Sequence, residues 1–138
     1  MKKSLTFLFL ITATLYGATF SQAIEALKAD NIKPLQKLIQ TKDDANLAGE
    51  HNKTILMYSV WVGDMKAVEL LVTKGADINA QDDEGKTALM LSLYKKYNDI
   101  SLYLIQQGAD LGLVSDDNQT ALSLVGVQNK DDLLKALE

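Results

Sequence analysis

Apolar residues recur along the chain in short blocks separated by polar turns. One kind of block follows a threonine: Thr54, Thr87 and Thr120 each precede mainly apolar sequence. Threonine is a good helix N-cap, so the pattern predicts a short buried helix of about two turns after each one. The second kind of block is amphipathic, with apolar residues spaced as on one face of a helix. Its members are Ala67, Leu70 and Leu71; Ile100, Tyr103 and Leu104; and Leu133, Leu134 and Leu137.

Both kinds of block repeat every 33 residues along the chain. Residues 54–57 align with residues 87–90 and 120–123, and residues 75–78 align with residues 108–111. Gly75 and Gly108 then follow a helix, where a left-handed residue favours glycine. Aspartate-rich segments such as residues 82–85 predict protruding turns. Because helices this short cannot bury an apolar face alone, the pattern predicts helix-turn-helix units stacked on one core.

The repeat resembles the ankyrin repeat. Its copies open with segments such as Thr54-Ile55-Leu56-Met57, and one copy ends in Gly75-Ala76-Asp77-Ile78-Asn79. The usual proline and histidine of the opening are missing, and Met57, Met90 and Ser123 stand in the histidine positions. The resemblance implies that this change weakens the hydrogen bonding between neighbouring turns and leaves the fold intact.

The resemblance also implies the domain organisation. We expect an all-α ankyrin-repeat solenoid of helix-turn-helix units with short β-turn or hairpin fingers. Residues 52–84 and 85–117 form its full repeats. Residues 19–51 form a degenerate amino-terminal capping repeat, with Ser21 in place of the N-cap threonine, and residues 118–138 form a truncated carboxy-terminal cap.

The first 18 residues have the organisation of a secretory signal peptide. Lys2 and Lys3 precede an apolar stretch, and small residues follow at Gly17 and Ala18. Cleavage is expected after Ala18, with cleavage after Ala23 as the alternative. The apolar run of about 16 residues is shorter than the roughly 20 that span a bilayer. We therefore predict a bacterial protein that is periplasmic or secreted and has no stable membrane insertion after cleavage; the alternative is an inner-membrane anchor formed by an uncleaved amino terminus.

Composition and charge further limit the kinds of functional site and partner that the chain can have. The chain has no Cys and one His, and its 14 basic residues, all lysines, face 18 acidic residues for a net charge of −4. Without Cys there is no disulfide, thiolate metal site or thiol nucleophile. The acidic balance argues against a nucleic acid partner, since phosphate contacts need clustered basic residues. Loss of the first 18 residues removes two lysines and no acid, so the exported form carries a net charge of −6.

Nothing in the sequence predicts catalysis, a cofactor or a metal site. The acidic clusters at residues 82–84 and 116–117 recur at the turn position of successive repeats, which favours turn chemistry over a calcium loop. Residues 131–132 are expected to open the last helix, where negative charge suits the helix dipole. His51 is expected to be an exposed turn residue, and the serines Ser59, Ser92 and Ser123 have no histidine to act as a base.

An aromatic constellation is the best candidate for a binding site. Trp61 and Tyr94 occupy one repeat position, and Tyr58 and Leu91 occupy another, one helical turn earlier. The resemblance implies that these positions face the concave groove, and large aromatics with a polar rim are typical of a protein-binding hot spot. The predicted protein-binding residues are Tyr58, Trp61, Val62, Leu91, Tyr94, Lys95, Asp83, Glu84 and Lys86. For Tyr58 and Trp61, packing against a neighbouring repeat is the alternative.

These observations predict a non-catalytic, monomeric protein-interaction module. Its acidic rim favours a protein partner with a basic patch and an association rate that falls with salt. One alternative is an inhibitor or immunity-type protein that blocks an enzyme through the same face. The other is a carrier of a small ligand or haem, for which His51, Met57 and Met90 would be the candidate residues; filling of the core explains these methionines better.

Overall fold

The computed structural model describes residues 17–29 and 31–138, so residues 1–16 of the predicted signal peptide lie outside the described chain. The described residues form nine α-helices and no named strand, in agreement with the predicted all-α solenoid. Along the chain the helices are α1 (Phe20–Leu27), α2 (Lys33–Leu38), α3 (Lys42–Ala45), α4 (Ile55–Val62), α5 (Met65–Thr73), α6 (Ala88–Tyr94), α7 (Asn98–Gln106), α8 (Ala121–Val125) and α9 (Lys130–Leu137).

Each apolar block forms the first helix of a pair, with the predicted threonine as its N-cap. The hydroxyls of Thr54, Thr87 and Thr120 each accept a backbone N–H three residues on, at 3.2 Å. The first helices α4, α6 and α8 then pack on one another in chain order. Their buried faces form the middle of the core, which confirms the prediction that stacking supplies it.

The amphipathic blocks form the second helices α5, α7 and α9. Six of their nine predicted core positions are buried, with Leu71, Leu104 and Leu133 completely inaccessible to solvent, whereas Leu70, Tyr103 and Leu134 are half-buried at the edge of the core. α5 packs on α7 and α7 on α9, so the second helices form a layer parallel to the first. The backbone at Gly75 and Gly108 is left-handed, with φ of 97° and 93°, as predicted for the residues that follow α5 and α7.

Three protruding turns, here called the fingers, comprise residues 49–53, 82–86 and 115–119. Neighbouring fingers are joined through the backbone: the N–H of Asp83 donates to the carbonyl of His51, and the N–H of Asp116 donates to that of Glu84, both at 2.9 Å. One isolated antiparallel bridge, between Ala48 and Thr54, closes the base of the first finger. The fingers are therefore turns linked edge to edge.

A second set of links joins the loops that follow the second helices. The side-chain oxygen of Asn46 accepts the N–H of Asp77 at 2.7 Å, and that of Asn79 accepts the N–H of Asp110 at 2.8 Å. Meanwhile Met57 and Met90, which stand at the usual histidine positions, are buried. Backbone groups and asparagines thus provide polar links between the repeats.

The amino-terminal repeat departs from the sequence prediction in one detail. Thr19, not Ser21, is the N-cap of α1; its hydroxyl accepts the N–H of Gln22, whose side chain in turn accepts the N–H of Thr19. The repeat offset placed the cap two residues late because α1 starts earlier than the later first helices. Pro34 lies in the first turn of α2, where it breaks no helical hydrogen bond.

Candidate functional site

A groove of about 550 Å³ runs between the fingers and the first helices. Successive repeats contribute the same positions to it, so all fourteen lining residues fall into sets whose members are 33 residues apart. These sets are Lys53, Lys86 and Gln119; Met57 and Met90; Tyr58, Leu91 and Leu124; Trp61 and Tyr94; Asp82 and Ser115; and Glu84 and Asp117.

Trp61 and Tyr94 are the exposed apolar side chains of the groove. They lie in the last turns of α4 and α6 and are 49% and 71% exposed, although large aromatics are usually much better covered. The ammonium of Lys95 lies over the Trp61 ring, 4.4 Å from its centroid, and 5.9 Å from the centroid of Tyr97. This cation–π contact stabilises one orientation of the indole before any partner arrives.

Tyr58 has the packing contact that the sequence analysis gave as the alternative to binding, and it also lies on the groove. Its ring packs edge-on against Phe20 of α1, with 5.4 Å between the ring centroids. Leu91, its equivalent in the next repeat, is half-buried and lines the groove as well. The apolar residues of the groove lining, here called its floor, therefore depend for their position on how the first helices pack on one another.

A small charge network lies where the fingers meet the floor. The ammonium of Lys86 pairs with Glu84 and lies 4.0 Å from Asp117 of the next finger. The hydrogen bond that the Lys86 ammonium donates to the Glu84 carboxylate raises the pKa of Lys86 and lowers the pKa of Glu84. Lys86 is therefore charged across the physiological range; it pairs mainly within its own finger and lies at the limit of ion-pair distance from the next one.

The finger tips carry exposed carboxylates along one side of the groove. They belong to Glu50, Asp83, Glu84, Asp116 and Asp117, whereas the two lysines of the fingers are half-buried. The result is a strip of negative charge beside the aromatic floor.

Asp82 has a different role from these exposed acids. It is buried, and its carboxylate accepts the N–H groups of Glu84 and Lys86, both at 2.9 Å. This confirms the prediction that the acidic cluster at residues 82–84 builds a turn. His51 is exposed in the first finger, also as predicted, with its Nδ1 3.5 Å from an oxygen of Asp83.

The structure brings together six of the nine predicted protein-binding residues as groove lining: Tyr58, Trp61, Glu84, Lys86, Leu91 and Tyr94. Lys95 contributes by covering Trp61, and Asp83 lies on the rim of the fingers. Val62 is 59% exposed but does not line the groove.

Several lining residues were missed by the sequence analysis. Lys53 and Gln119 are the repeat equivalents of Lys86, and Leu124 is that of Tyr58 and Leu91. Asp117 is likewise the equivalent of Glu84, so extending the 33-residue offset from the predicted positions to every copy would have found these four. The other missed lining residues, Met57, Met90, Asp82 and Ser115, lie at repeat positions for which no binding residue was predicted.

Two of the serines noted in the sequence form hydrogen bonds within their own helices. Ser59 and Ser92 are buried, and each hydroxyl donates to a carbonyl of its own helix. Within the described ranges, no three acidic or histidine side chains are grouped so as to hold a metal ion. None of the helices in residues 17–29 and 31–138 has the length and apolar character to cross a bilayer.

Comparison with known proteins agrees with the repeat and the stacked helix pairs. The family model described as "Ankyrin repeats (3 copies)" matches residues 20–115 and, in an overlapping match, residues 56–137. A search of curated proteins gives no significant match. The two family matches together span most of the sequence, so the chain belongs to the ankyrin-repeat family.

Proposed function

We propose that this chain is an exported, non-catalytic module that binds a protein partner in the groove, on its concave face. Ankyrin repeats are in general protein–protein interaction modules. The observation that carries the proposal is the pair of exposed aromatics, Trp61 and Tyr94, at equivalent positions of stacked helices. Large aromatics that are held in place before binding lose little conformational entropy when a partner covers them.

The charge of the finger tips indicates the kind of partner. Five exposed carboxylates lie on the fingers, of which Glu84 and Asp117 line the groove, while the ammonium of Lys86 is already paired with Glu84. A complementary surface would carry basic residues opposite the fingers and apolar residues opposite Trp61 and Tyr94. A protein with a basic patch next to an apolar anchor fits both features.

The test is affinity capture from an envelope fraction with the wild type and with the double variant Trp61→Ala, Tyr94→Ala. We expect the double variant to lose the captured partner, with a drop in affinity of about 30-fold or more, the loss that corresponds to removal of a hot spot. Trp61 is the only tryptophan of the chain, so its emission gives a second measurement with the purified partner and wild-type protein.

A matched control is the double variant Val62→Ala, Val114→Ala. Both valines are exposed apolar residues that do not line the groove, so we expect normal capture. Thermal melts establish that both double variants are folded. If the aromatic variant is folded and retains the same partner with unchanged affinity, binding in the groove is disproved.

A further inference from the structure

Tyr97 stands at a position where the other second helices have a capping residue. It is the N-cap of α7, and its side chain makes no capping hydrogen bond. The N-caps of α5 and α9 are Asp64 and Asn129, and the side chain of each accepts a backbone N–H three residues on. Because such a bond stabilises the start of a helix, α7 lacks a contribution that its equivalents have.

The ring of Tyr97 lies instead at the end of the helix that carries Trp61. Gly63 follows that helix, α4, and a Cβ built on it would come within 3.0 Å of the Tyr97 ring. Gly63 also has left-handed backbone, with φ of 74°, which favours glycine for a second reason. A side chain at position 63 would push the ring away, so the glycine and the tyrosine fit together.

Lys95 connects this ring to the indole. Its ammonium lies 4.4 Å from the centroid of Trp61 and 5.9 Å from that of Tyr97, so both rings are within the distance at which an aromatic face attracts a cation. Lys95 is half-buried, and among residues 17–29 and 31–138 no carboxylate lies within ion-pair distance of its ammonium. The two rings are therefore the groups that hold it in place.

The second aromatic of the groove lacks this arrangement. Tyr94 is the repeat equivalent of Trp61, but the N-cap of the following second helix is Asn129, which has no ring. Tyr94 is also the more exposed of the two aromatics. The ring at the N-cap therefore accompanies the aromatic that is covered by a cation.

We infer that Tyr97 is a positioning residue of the binding groove: its ring helps to hold the Lys95 ammonium over Trp61, and the ammonium fixes the indole in the orientation that a partner meets. This inference rests on the proposed function, because it assigns Tyr97 to the same binding event. A ring that is fixed before binding loses less conformational entropy when the partner covers it. A local rule of helix capping is broken at Tyr97, and the position of the indole is the compensating gain.

The first measurement uses the free protein and acrylamide quenching of Trp61, the only tryptophan of the chain. Tyr97→Asn removes the ring and supplies the residue type that caps α9, so we expect its thermal midpoint to stay within a few degrees of the wild type. We expect the held orientation of the indole to lose about two- to fivefold in relative population, the factor that corresponds to an exposed cation–π contact, and quenching to rise. Tyr97→Leu keeps apolar bulk without an aromatic face and should give the same rise, even if the asparagine variant melts early.

Three further variants identify the cause. Lys95→Met removes the ammonium and should raise quenching as Tyr97→Asn does. Tyr97→Phe keeps the ring and should restore the quenching of the wild type. Lys135→Met is the matched control, the same change at an exposed lysine of α9, and should leave quenching as it is.

The second measurement is the affinity for the purified captured partner. We expect Tyr97→Asn and Lys95→Met to weaken binding about two- to fivefold, and Tyr97→Phe to restore it. Unchanged quenching in both Tyr97→Asn and Tyr97→Leu overturns the inference. So does a rise in quenching with unchanged affinity, provided that Trp61→Ala with Tyr94→Ala still loses the partner. If that double variant retains the partner, the proposed function fails instead, and quenching in the free protein still decides whether Tyr97 holds Lys95 over the indole.

Discussion

Asp44 is the buried carboxylate on which the amino-terminal repeat converges. One oxygen accepts the N–H of Ala18, and the other accepts the N–H groups of Gln40 and Thr41 at 3.0 and 2.8 Å. Burial alone would raise the pKa of Asp44, but these hydrogen bonds and one from the Thr41 hydroxyl outweigh it and hold the pKa below its usual range. The charged form of Asp44 therefore stabilises the fold.

We expect Asp44→Asn to lower the free energy of unfolding at neutral pH by about 1–3 kcal/mol, because an amide cannot accept all of these N–H groups. The folded pKa lies below the unfolded value, about 3.9, so the contribution is fully present above that pH and is lost as the pH falls through the folded pKa. Urea unfolding at several pH values should show the gap between wild type and variant closing in acid. Asp43→Asn is the control: it makes the same charge change on the same helix at an exposed position, so its effect should be small. A gap that is equally wide at pH 7 and in strong acid would contradict this account.

The fingers repeat one backbone conformation in each copy, and neighbouring fingers also pack closely on each other. Asn52, Gly85 and Asn118 occupy equivalent positions and all have left-handed backbone, with φ of 55°, 70° and 59°. Asparagine and glycine are the residues that tolerate this conformation best. At Gly85 the next finger also lies close, since a Cβ there would come within 3.0 Å of the Ser115 Cα.

Gly85→Ala should therefore destabilise the protein more than Gly108→Ala. Both substitutions force alanine into the left-handed region, at a cost of roughly 1–2 kcal/mol. Gly108 faces open space, whereas Gly85 contacts backbone of the neighbouring finger, which adds overpacking on the order of 1 kcal/mol. Denaturant unfolding of the two variants measures the difference. Equal losses would mean that the fingers separate easily and that only the backbone conformation matters.

At the level of elements, the features that repeat were the ones the sequence could predict. The threonine caps, the glycines after the second helices and the buried apolar positions recur every 33 residues. Each copy of the pattern therefore strengthens the prediction for the other copies. The amino-terminal repeat lacks that support: Thr19 replaces the expected Ser21 as the cap, and α3 forms where later copies have a loop. The position of Lys95 over Trp61 depends on a side-chain rotamer, which repeat spacing does not specify. The repeat boundaries and the binding role of the groove stay predictions.

At the scale of the whole molecule, stacking places equivalent residues in rows. Each repeat packs mainly on its neighbours, so residues at equivalent positions of successive fingers lie along one side of the stack. The exposed acids of the fingers form one such row beside the groove. Asp77 and Asp110 form another, in the loops that follow α5 and α7, where each carboxylate accepts a backbone N–H of its own loop. These acidic residues therefore lie in two separate rows. The charge of one row can be changed by substitution without changing the charge of the other.

Neutralising the two rows separately tests whether the fingers steer a partner. Asp83→Asn with Asp116→Asn removes two charges beside the groove and keeps the amide oxygen that can still accept from Asn52. We expect slower association with the captured partner, by roughly two- to tenfold at low salt, and a weaker dependence on salt, because exposed charges act mainly on the encounter rate. Asp77→Asn with Asp110→Asn removes the same charge from the other row and should leave association nearly unchanged. Surface plasmon resonance at low and physiological ionic strength measures both rates. If the two double variants slow association equally, net charge alone attracts the partner and the finger row has no directing role; if neither does, the partner carries no basic patch opposite the fingers.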